Sequence, residues 1–136
     1  MKWNFQTGLA FGQISGWALM ALLLVNILLP YWFRKRIDGV AFLKRMRLHF
    51  WIGYTLPALI FVHLWIPMVA RVLRPEDKWG LYLATAGYGV LILQAIIGSF
   101  LRKATRRNYN ALLRVHFYVL MIALPLILSH VFLNHR

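Results

Sequence analysis

Four long runs of apolar residues, separated by short polar segments, make up the 136-residue chain. The runs extend from about Leu9 to Phe33, from Arg47 to Ala70, from Trp79 to Leu101 and from Leu112 to Leu133. Each is long enough to cross the hydrocarbon core of a bilayer as a helix, which takes about 20 residues. The pattern predicts an all-α membrane protein, a bundle of four transmembrane helices that forms a single domain over residues 1–136.

The first run is longer than the apolar core of a signal peptide and shows no recognisable cleavage site, so we expect it to remain as a span. It carries Gly8, Gly12 and Gly16 at helical spacing. Such a ridge of small residues is typical of close packing between membrane helices. It would equally leave room for a flat macrocycle against the backbone, and the sequence leaves both interpretations open.

Most of the charge lies in the polar segments, where Lys and Arg dominate: the chain has 16 Lys and Arg, three Asp and Glu, and a net charge of +13. Cations placed between apolar runs are typical of the positive-inside arrangement of membrane proteins, and they favour it over nucleic-acid binding. We therefore expect an integral protein of the bacterial plasma membrane. Its basic loops 34–47 and 102–114 would lie in the cytoplasm, with both termini and the Arg71–Lys78 loop outside.

The two halves of the chain resemble each other. The motif Phe-Arg-Lys at 33–35 returns as Leu-Arg-Lys at 101–103, an offset of 68, and Arg-x-His-Phe at 47–50 returns at 114–117, an offset of 67. We infer two copies of one helical hairpin, repeat one over about residues 9–70 and repeat two over about 79–134. Because each copy begins on the same side, an axis along the membrane normal would relate them.

Each copy contains two histidines with the same spacing. His49 and His63 lie 14 residues apart in the second run, and His116 and His130 lie 14 residues apart in the fourth. Fourteen residues are close to four helical turns, so the two histidines of a run share one helix face, about 21 Å apart. The symmetry axis then places His49 opposite His116 and His63 opposite His130.

Ionisable side chains inside a span are costly, which makes a membrane histidine a candidate functional residue. One such histidine could simply make a structural hydrogen bond, but two matched pairs argue for a shared task. Neutral imidazole is a ligand for haem iron, and two axial imidazoles leave no open coordination position, which suits electron transfer. We therefore predict two molecules of haem b with these four histidines as axial iron ligands, and Arg47 and Arg114 near the propionates.

Other site chemistry fits less well. The chain has no cysteine, which excludes cysteine-ligated iron–sulfur clusters, c-type haem attachment and disulfides. No Asp or Glu lies in an apolar run, which argues against a carboxylate-based pump or cation transporter and against hard-metal sites. Two facing histidines make only half of a tetrahedral zinc site. A pigment-binding or structural assembly subunit of a larger membrane complex remains the alternative.

The histidine spacing on the second and fourth of four predicted helices resembles the dihaem cytochrome b of quinol-oxidising complexes, and is similar to ferric-reductase-like and related small b-type cytochromes. The resemblance covers the whole chain in topology and is specific at His49, His63, His116 and His130, which match the axial ligands of these families. It also implies that glycines of the first and third spans make room for haem; the matching positions are Gly12, Gly16, Gly87 and Gly98.

The chain departs from these families in the parts that surround the haems. These 136 residues contain neither the Pro-Glu-Trp-Tyr motif of the quinol site nor the further helices that build that site, and they contain no flavin or NADPH domain of the kind full ferric reductases carry. We therefore predict transmembrane electron transfer by a membrane subunit of an oxidoreductase complex, without catalytic residues of its own. It would connect quinone or a cytoplasmic donor to another redox protein, with membrane lipid around it and no nucleic-acid partner.

Overall fold

Nearly every residue that the structure describes is helical. The computed structural model describes residues 5–34, 46–69 and 78–134, in which no strand occurs. The helices are α1 (Phe5–Arg34), α2 (Arg47–Val69), α3 (Lys78–Lys103) and α4 (Arg106–Asn134). Each contains a stretch of 20 to 27 residues that is long and apolar enough to cross a membrane. The predicted bundle of four membrane-spanning helices is confirmed.

Successive helices run in opposite directions and pack in chain order, α1 on α2, α2 on α3 and α3 on α4. The hairpins α1–α2 and α3–α4 correspond to the two predicted repeats. One end of the bundle, where α1 and α3 finish and α2 and α4 begin, carries a concentration of Arg and Lys, and we name it the basic end. The opposite end, nearer to both chain termini, is named the terminal end.

The connection between α3 and α4 is much shorter than the predicted basic loop 102–114. Only Ala104 and Thr105 lie outside the helices there, and the Thr105 carbonyl already accepts the N–H groups of Asn108 and Tyr109, at 3.1 and 3.0 Å. The prediction of a loop over 106–114 was wrong because low hydropathy marks where a helix leaves the apolar layer and does not mark where the helix begins. The segments 35–45 and 70–77 lie outside the described residues.

The centre of the bundle is a thin apolar layer to which each helix contributes one buried side chain: Leu23, Leu56, Leu91 and Ala123. Leu23 and Leu91 correspond to each other in the repeat, as do Leu56 and Ala123. Leu56 lies seven residues from each histidine of α2, and Ala123 lies seven residues from each histidine of α4. Because seven residues are close to two helical turns, the layer lies halfway between the two levels of histidines.

The outside of the bundle is apolar and rich in exposed aromatic side chains. Trp32 and Trp51 are exposed at the basic end, and Trp65 and Trp79 at the terminal end. A surface of this kind is compatible with lipid tails, and tryptophans at both ends match the aromatic belts of membrane proteins. The helices and their surface together support an integral membrane protein.

Candidate haem-binding histidine pairs

The first pair of histidines lies between α2 and α4 near the basic end, and we name it the basic pair. The ring centroids of His49 and His116 are 6.5 Å apart, and the ring planes are inclined at 73°. Both side chains are half-buried. The two helices thus face each other through their imidazole rings at this level.

The second pair, His63 and His130, lies between the same two helices towards the terminal end, and we name it the terminal pair. The two positions are equivalent in the repeat, and both side chains are half-buried. The 14-residue spacing separates the two pairs by about 21 Å along the helices. The buried apolar layer of Leu23, Leu56, Leu91 and Ala123 lies between them.

Two of the four histidines are anchored on main-chain carbonyls of the neighbouring helix of their own hairpin. The Nδ1 of His49 lies 2.9 Å from the carbonyl oxygen of Asn26 in α1, and the Nδ1 of His130 lies 2.9 Å from that of Gly80 in α3. A carbonyl oxygen only accepts, so Nδ1 carries the hydrogen in both rings. The lone pair of a neutral ring is then on Nε2, the nitrogen available to a metal.

The other two histidines have different surroundings at Nδ1. The Nδ1 of His63 lies 2.7 Å from the hydroxyl oxygen of Ser15. The Nδ1 of His116 is buried and has no hydrogen-bond partner among the described residues. Asn26 and Gln94 are equivalent positions in the repeat, 68 residues apart. At the basic pair, a hydrogen bond to these equivalent positions is therefore made on one side only, from His49 to Asn26.

Two of the four predicted glycines lie directly against a histidine ring. A Cβ atom on Gly16 would be 3.4 Å from Cε1 of His63, and one on Gly98 would be 3.5 Å from Cε1 of His116. Gly87 instead packs against Ile127 of α4, where it allows close approach of two helices. The carbonyl of Gly12 lies 3.4 Å from the hydroxyl of Ser15.

The two predicted arginines are exposed and lie at the basic end. Arg47 precedes His49 by two residues, and Arg114 precedes His116 by two. Side chains two positions apart on a helix point to different faces, so neither arginine shares the face of its histidine. The structure does not bring them to the rings, and their role at haem propionates stays a prediction.

Three buried polar atoms near the basic pair have no hydrogen-bond partner among the described residues: Asn26 Oδ1, Gln94 Oε1 and His116 Nδ1. Buried polar groups of this kind are rare, and each normally meets a partner, an ordered water or a bound group. The carboxamides also occupy equivalent positions of the two repeats. This repetition at an offset of 68 is a sequence signal that would have identified Gln94.

Sequence reasoning overlooked Ser15 and the carbonyl of Gly80. Ser15 is a small polar residue in an apolar run, and nothing in its sequence position distinguishes it from a serine bonded to its own helix. The Gly80 contact is made by the main chain, which every residue has, so no residue type marks it. Both contacts depend on which face of α1 or α3 packs against a histidine, and the sequence pattern does not show this.

A groove of about 220 Å³ runs between α1 and α2 beside His63. Ser15 and His63 provide its polar atoms, and the remaining lining is apolar: Phe11, Ala18, Leu19, Leu22, Leu59 and Val62. On the side of α1, the ring of His63 is therefore bordered by apolar surface and by the hydroxyl of Ser15.

No family model, curated protein or solved structure matches the chain. The resemblance to dihaem b-type cytochromes therefore rests on the four histidines and the topology alone, and it stays a prediction. Over residues 5–34, 46–69 and 78–134, no group of three or more His, Asp or Glu side chains is arranged to hold a metal ion. The histidines of α2 and α4 are therefore arranged as two separate pairs and not as a larger cluster.

Proposed function

We propose that the protein transfers electrons across a membrane through two b-type haems, one held by the basic pair and one by the terminal pair. The observation that supports this proposal most directly is the arrangement of four histidines as two facing pairs on α2 and α4. Haem needs only two ligands from the protein because its porphyrin supplies the other four nitrogens. Two isolated pairs suit that requirement better than they suit any ion that needs three or four side chains.

The dimensions of the basic pair are consistent with bis-histidine coordination. A metal–imidazole bond is about 2 Å long and the ring centre lies about 1 Å behind the nitrogen, so two imidazoles that share one metal have centroids about 6 Å apart. The observed distance between the His49 and His116 centroids is 6.5 Å. The Nδ1 anchor of His49 on Asn26 also leaves Nε2 with its lone pair, as an axial ligand needs.

The protein itself supplies orientation and a dry environment. The carbonyls of Asn26 and Gly80 hold the Nδ1 hydrogens of His49 and His130, which fixes the direction of each ring. The apolar layer between the pairs excludes water from the middle of the bundle. Bound haem would supply one-electron chemistry, with no open coordination position for oxygen when both axial positions are filled by histidine.

The surface charge of the bundle is compatible with a relay to other redox partners. Arg47, Arg102, Arg107 and Arg114 are exposed at the basic end, where they would attract an anionic donor or acceptor. We infer that the protein acts as a membrane subunit of an oxidoreductase complex. It would carry electrons between quinone, or a cytoplasmic donor, and a redox partner on the opposite side.

The test is a reduced-minus-oxidised visible spectrum of the purified protein in detergent, with the haem-to-protein ratio determined after haem extraction. We expect two b-type haems per chain. The substitution His116→Ala removes one ligand of the basic pair, and His63→Ala removes one ligand of the terminal pair, so each variant should retain a single haem. His135→Ala is the matched control, because the fifth histidine has no counterpart in the repeat.

Three other outcomes of this experiment would contradict the proposal. A folded protein without haem would contradict the proposal and favour a structural assembly subunit. Bound chlorophyll would indicate a pigment-binding subunit, in which magnesium takes a single protein ligand. A ratio of two haems that His63→Ala and His116→Ala both leave unchanged would show that other residues hold the haem.

A further inference from the structure

The two histidines of the terminal pair are equivalent in the repeat but have different hydrogen-bond acceptors. His130 meets the carbonyl of Gly80 directly, at 2.9 Å. The residue that corresponds to Gly80 in the first repeat is Gly12, yet His63 makes its hydrogen bond with Ser15 and not with the Gly12 carbonyl. The hydroxyl of Ser15 lies in between, 2.7 Å from Nδ1 of His63 and 3.4 Å from the Gly12 oxygen. The residue corresponding to Ser15 in the second repeat is Leu83, which has no hydroxyl.

The direction of the hydrogen bonds at Ser15 follows from its neighbours. Its hydroxyl oxygen lies 2.5 Å from the carbonyl of Phe11, which can only accept. The single hydroxyl hydrogen is therefore donated to the carbonyl, and the oxygen is left to accept a hydrogen from His63. His63 consequently carries its hydrogen on Nδ1 and its lone pair on Nε2, as do His49 and His130.

A hydroxyl and a main-chain carbonyl do not polarise an imidazole equally. The partner that accepts the Nδ1 hydrogen raises the electron-donating strength of the opposite nitrogen, and this effect grows with the strength of the acceptor. An electron-rich ligand stabilises the oxidised metal and lowers its reduction potential. Of the anchored histidines, His63 alone among the described residues has a hydroxyl acceptor, so the two sides of the terminal pair differ.

We propose that Ser15 is a positioning residue that holds His63 in the metal-binding tautomer and sets the reduction potential of the haem at the terminal pair. This inference rests on the proposed function, because it assigns a role to Ser15 in one of the two haem sites. The site at the basic pair lies about 21 Å away along the helices and has no contact with Ser15. The effect should therefore be confined to one of the two haems.

The first experiment is a redox titration of the haem-loaded protein with Ser15→Ala. Loss of the acceptor makes His63 a weaker electron donor, so one of the two midpoint potentials should rise while the other is unchanged. Ser15→Thr keeps the hydroxyl and should restore the wild-type value. Ser99→Ala is the matched control, since the Ser99 hydroxyl bonds to the Ile96 carbonyl of its own helix, at 2.7 Å.

The second experiment needs no haem and separates this inference from the proposed function. Ring ¹⁵N chemical shifts of His63 in the apoprotein should report the Nδ1–H tautomer in the wild type and in Ser15→Thr, and a mixture of tautomers in Ser15→Ala. A wild-type protein that binds no haem would overturn the proposed function but leave this tautomer result intact. Unchanged midpoint potentials together with an unchanged His63 tautomer in Ser15→Ala would overturn the proposed role of Ser15. Complete loss of one haem in this variant would also overturn it, because Ser15 would then have a structural role.

Discussion

Each pair of histidines combines one ring anchored on a carbonyl with one ring that lies against a glycine. At the basic pair, His49 bonds to the Asn26 carbonyl and His116 lies beside Gly98. At the terminal pair, His130 bonds to the Gly80 carbonyl and His63 lies beside Gly16. The carbonyl orients one ring and the missing side chain of the glycine gives the other ring space, so both features position imidazoles between α2 and α4.

The space beside His116 can be tested at Gly98. An added Cβ would be in ordinary van der Waals contact with the ring, at 3.5 Å, so Gly98→Ala should keep both haems. The further carbon atoms of leucine would occupy the position of the ring, and Gly98→Leu should therefore reduce the haem-to-protein ratio from two to one. The measurement is the haem content of the purified variants.

Gly89 provides the control for this prediction because it lies in the same helix, and a Cβ on it would meet nothing within 4 Å. Gly89→Leu should retain two haems and the wild-type spectrum. If Gly98→Leu also retained two haems, the ring of His116 would not need the space that this glycine leaves. If both leucine variants lost haem, the cause would be general damage to α3.

The four helices are held together by few fully buried side chains. The layer of Leu23, Leu56, Leu91 and Ala123 packs at the middle of the bundle, with exposed apolar side chains on most of the remaining surface. Since lipid tails are as apolar as these side chains, burial from lipid contributes little, and close packing has to hold the helices together. Stability should therefore depend strongly on this one layer.

Leu56→Ala tests the contribution of the layer. Leu56 is only 3% exposed, and removing a buried leucine side chain typically costs about 2–5 kcal/mol because a cavity remains. Leu59→Ala, at a residue of the same helix that is 45% exposed, should cost much less. Both free energies of unfolding can be measured by reversible denaturation in mixed micelles.

A size exchange within the layer provides an internal check. Ala123 is fully buried and corresponds to Leu56 in the other repeat. The double variant Leu56→Ala with Ala123→Leu restores the lost volume and should recover part of the stability, because neighbouring positions couple. Equal losses for Leu56→Ala and Leu59→Ala would contradict a stabilising role of the layer.

The elements that sequence analysis predicted well are those with strong periodicity. The 14-residue spacing of His49 and His63 required only helical geometry, and four long apolar runs sufficed for the helices. The start of α4 at Arg106 was missed because a charged segment can leave the apolar layer and remain helical. Gly87 and Gly98 look alike in sequence, and only packing distinguishes the one against Ile127 from the one against His116.

As a whole, the molecule is a bundle with two repeat-related halves, an apolar surface and a charge concentrated at one end. The two hairpins supply one helix with two histidines each, α2 and α4, so neither hairpin alone would complete a histidine pair. Positive charge at one end predicts its side of the membrane, because Lys and Arg near spans are retained in the cytoplasm. The basic end should therefore be cytoplasmic and the terminal end outside.

The two ends of α3 allow a direct test of this orientation. The chain has no cysteine, so a single introduced thiol reports one position. Trp79 is 73% exposed near the start of α3, and Thr105 is exposed just after its end. A helix of 26 residues is about 39 Å long, which is enough to cross the bilayer. A membrane-impermeant maleimide added to intact cells should label Trp79→Cys, and should label Thr105→Cys only after the membrane is disrupted.

The reverse labelling pattern would place the basic end outside and contradict the orientation, while leaving the four spans intact. Labelling of both cysteines in intact cells would contradict the crossing itself, because the two positions lie at opposite ends of one continuous helix.

The orientation also predicts which haem an added electron donor reduces first. A cytoplasmic basic end would bring the haem of the basic pair nearer to cytoplasmic donors, so an anionic donor added to inside-out vesicles should reduce that haem first. The same donor added to right-side-out vesicles should reduce the haem of the terminal pair first, and the haem of the basic pair only after it.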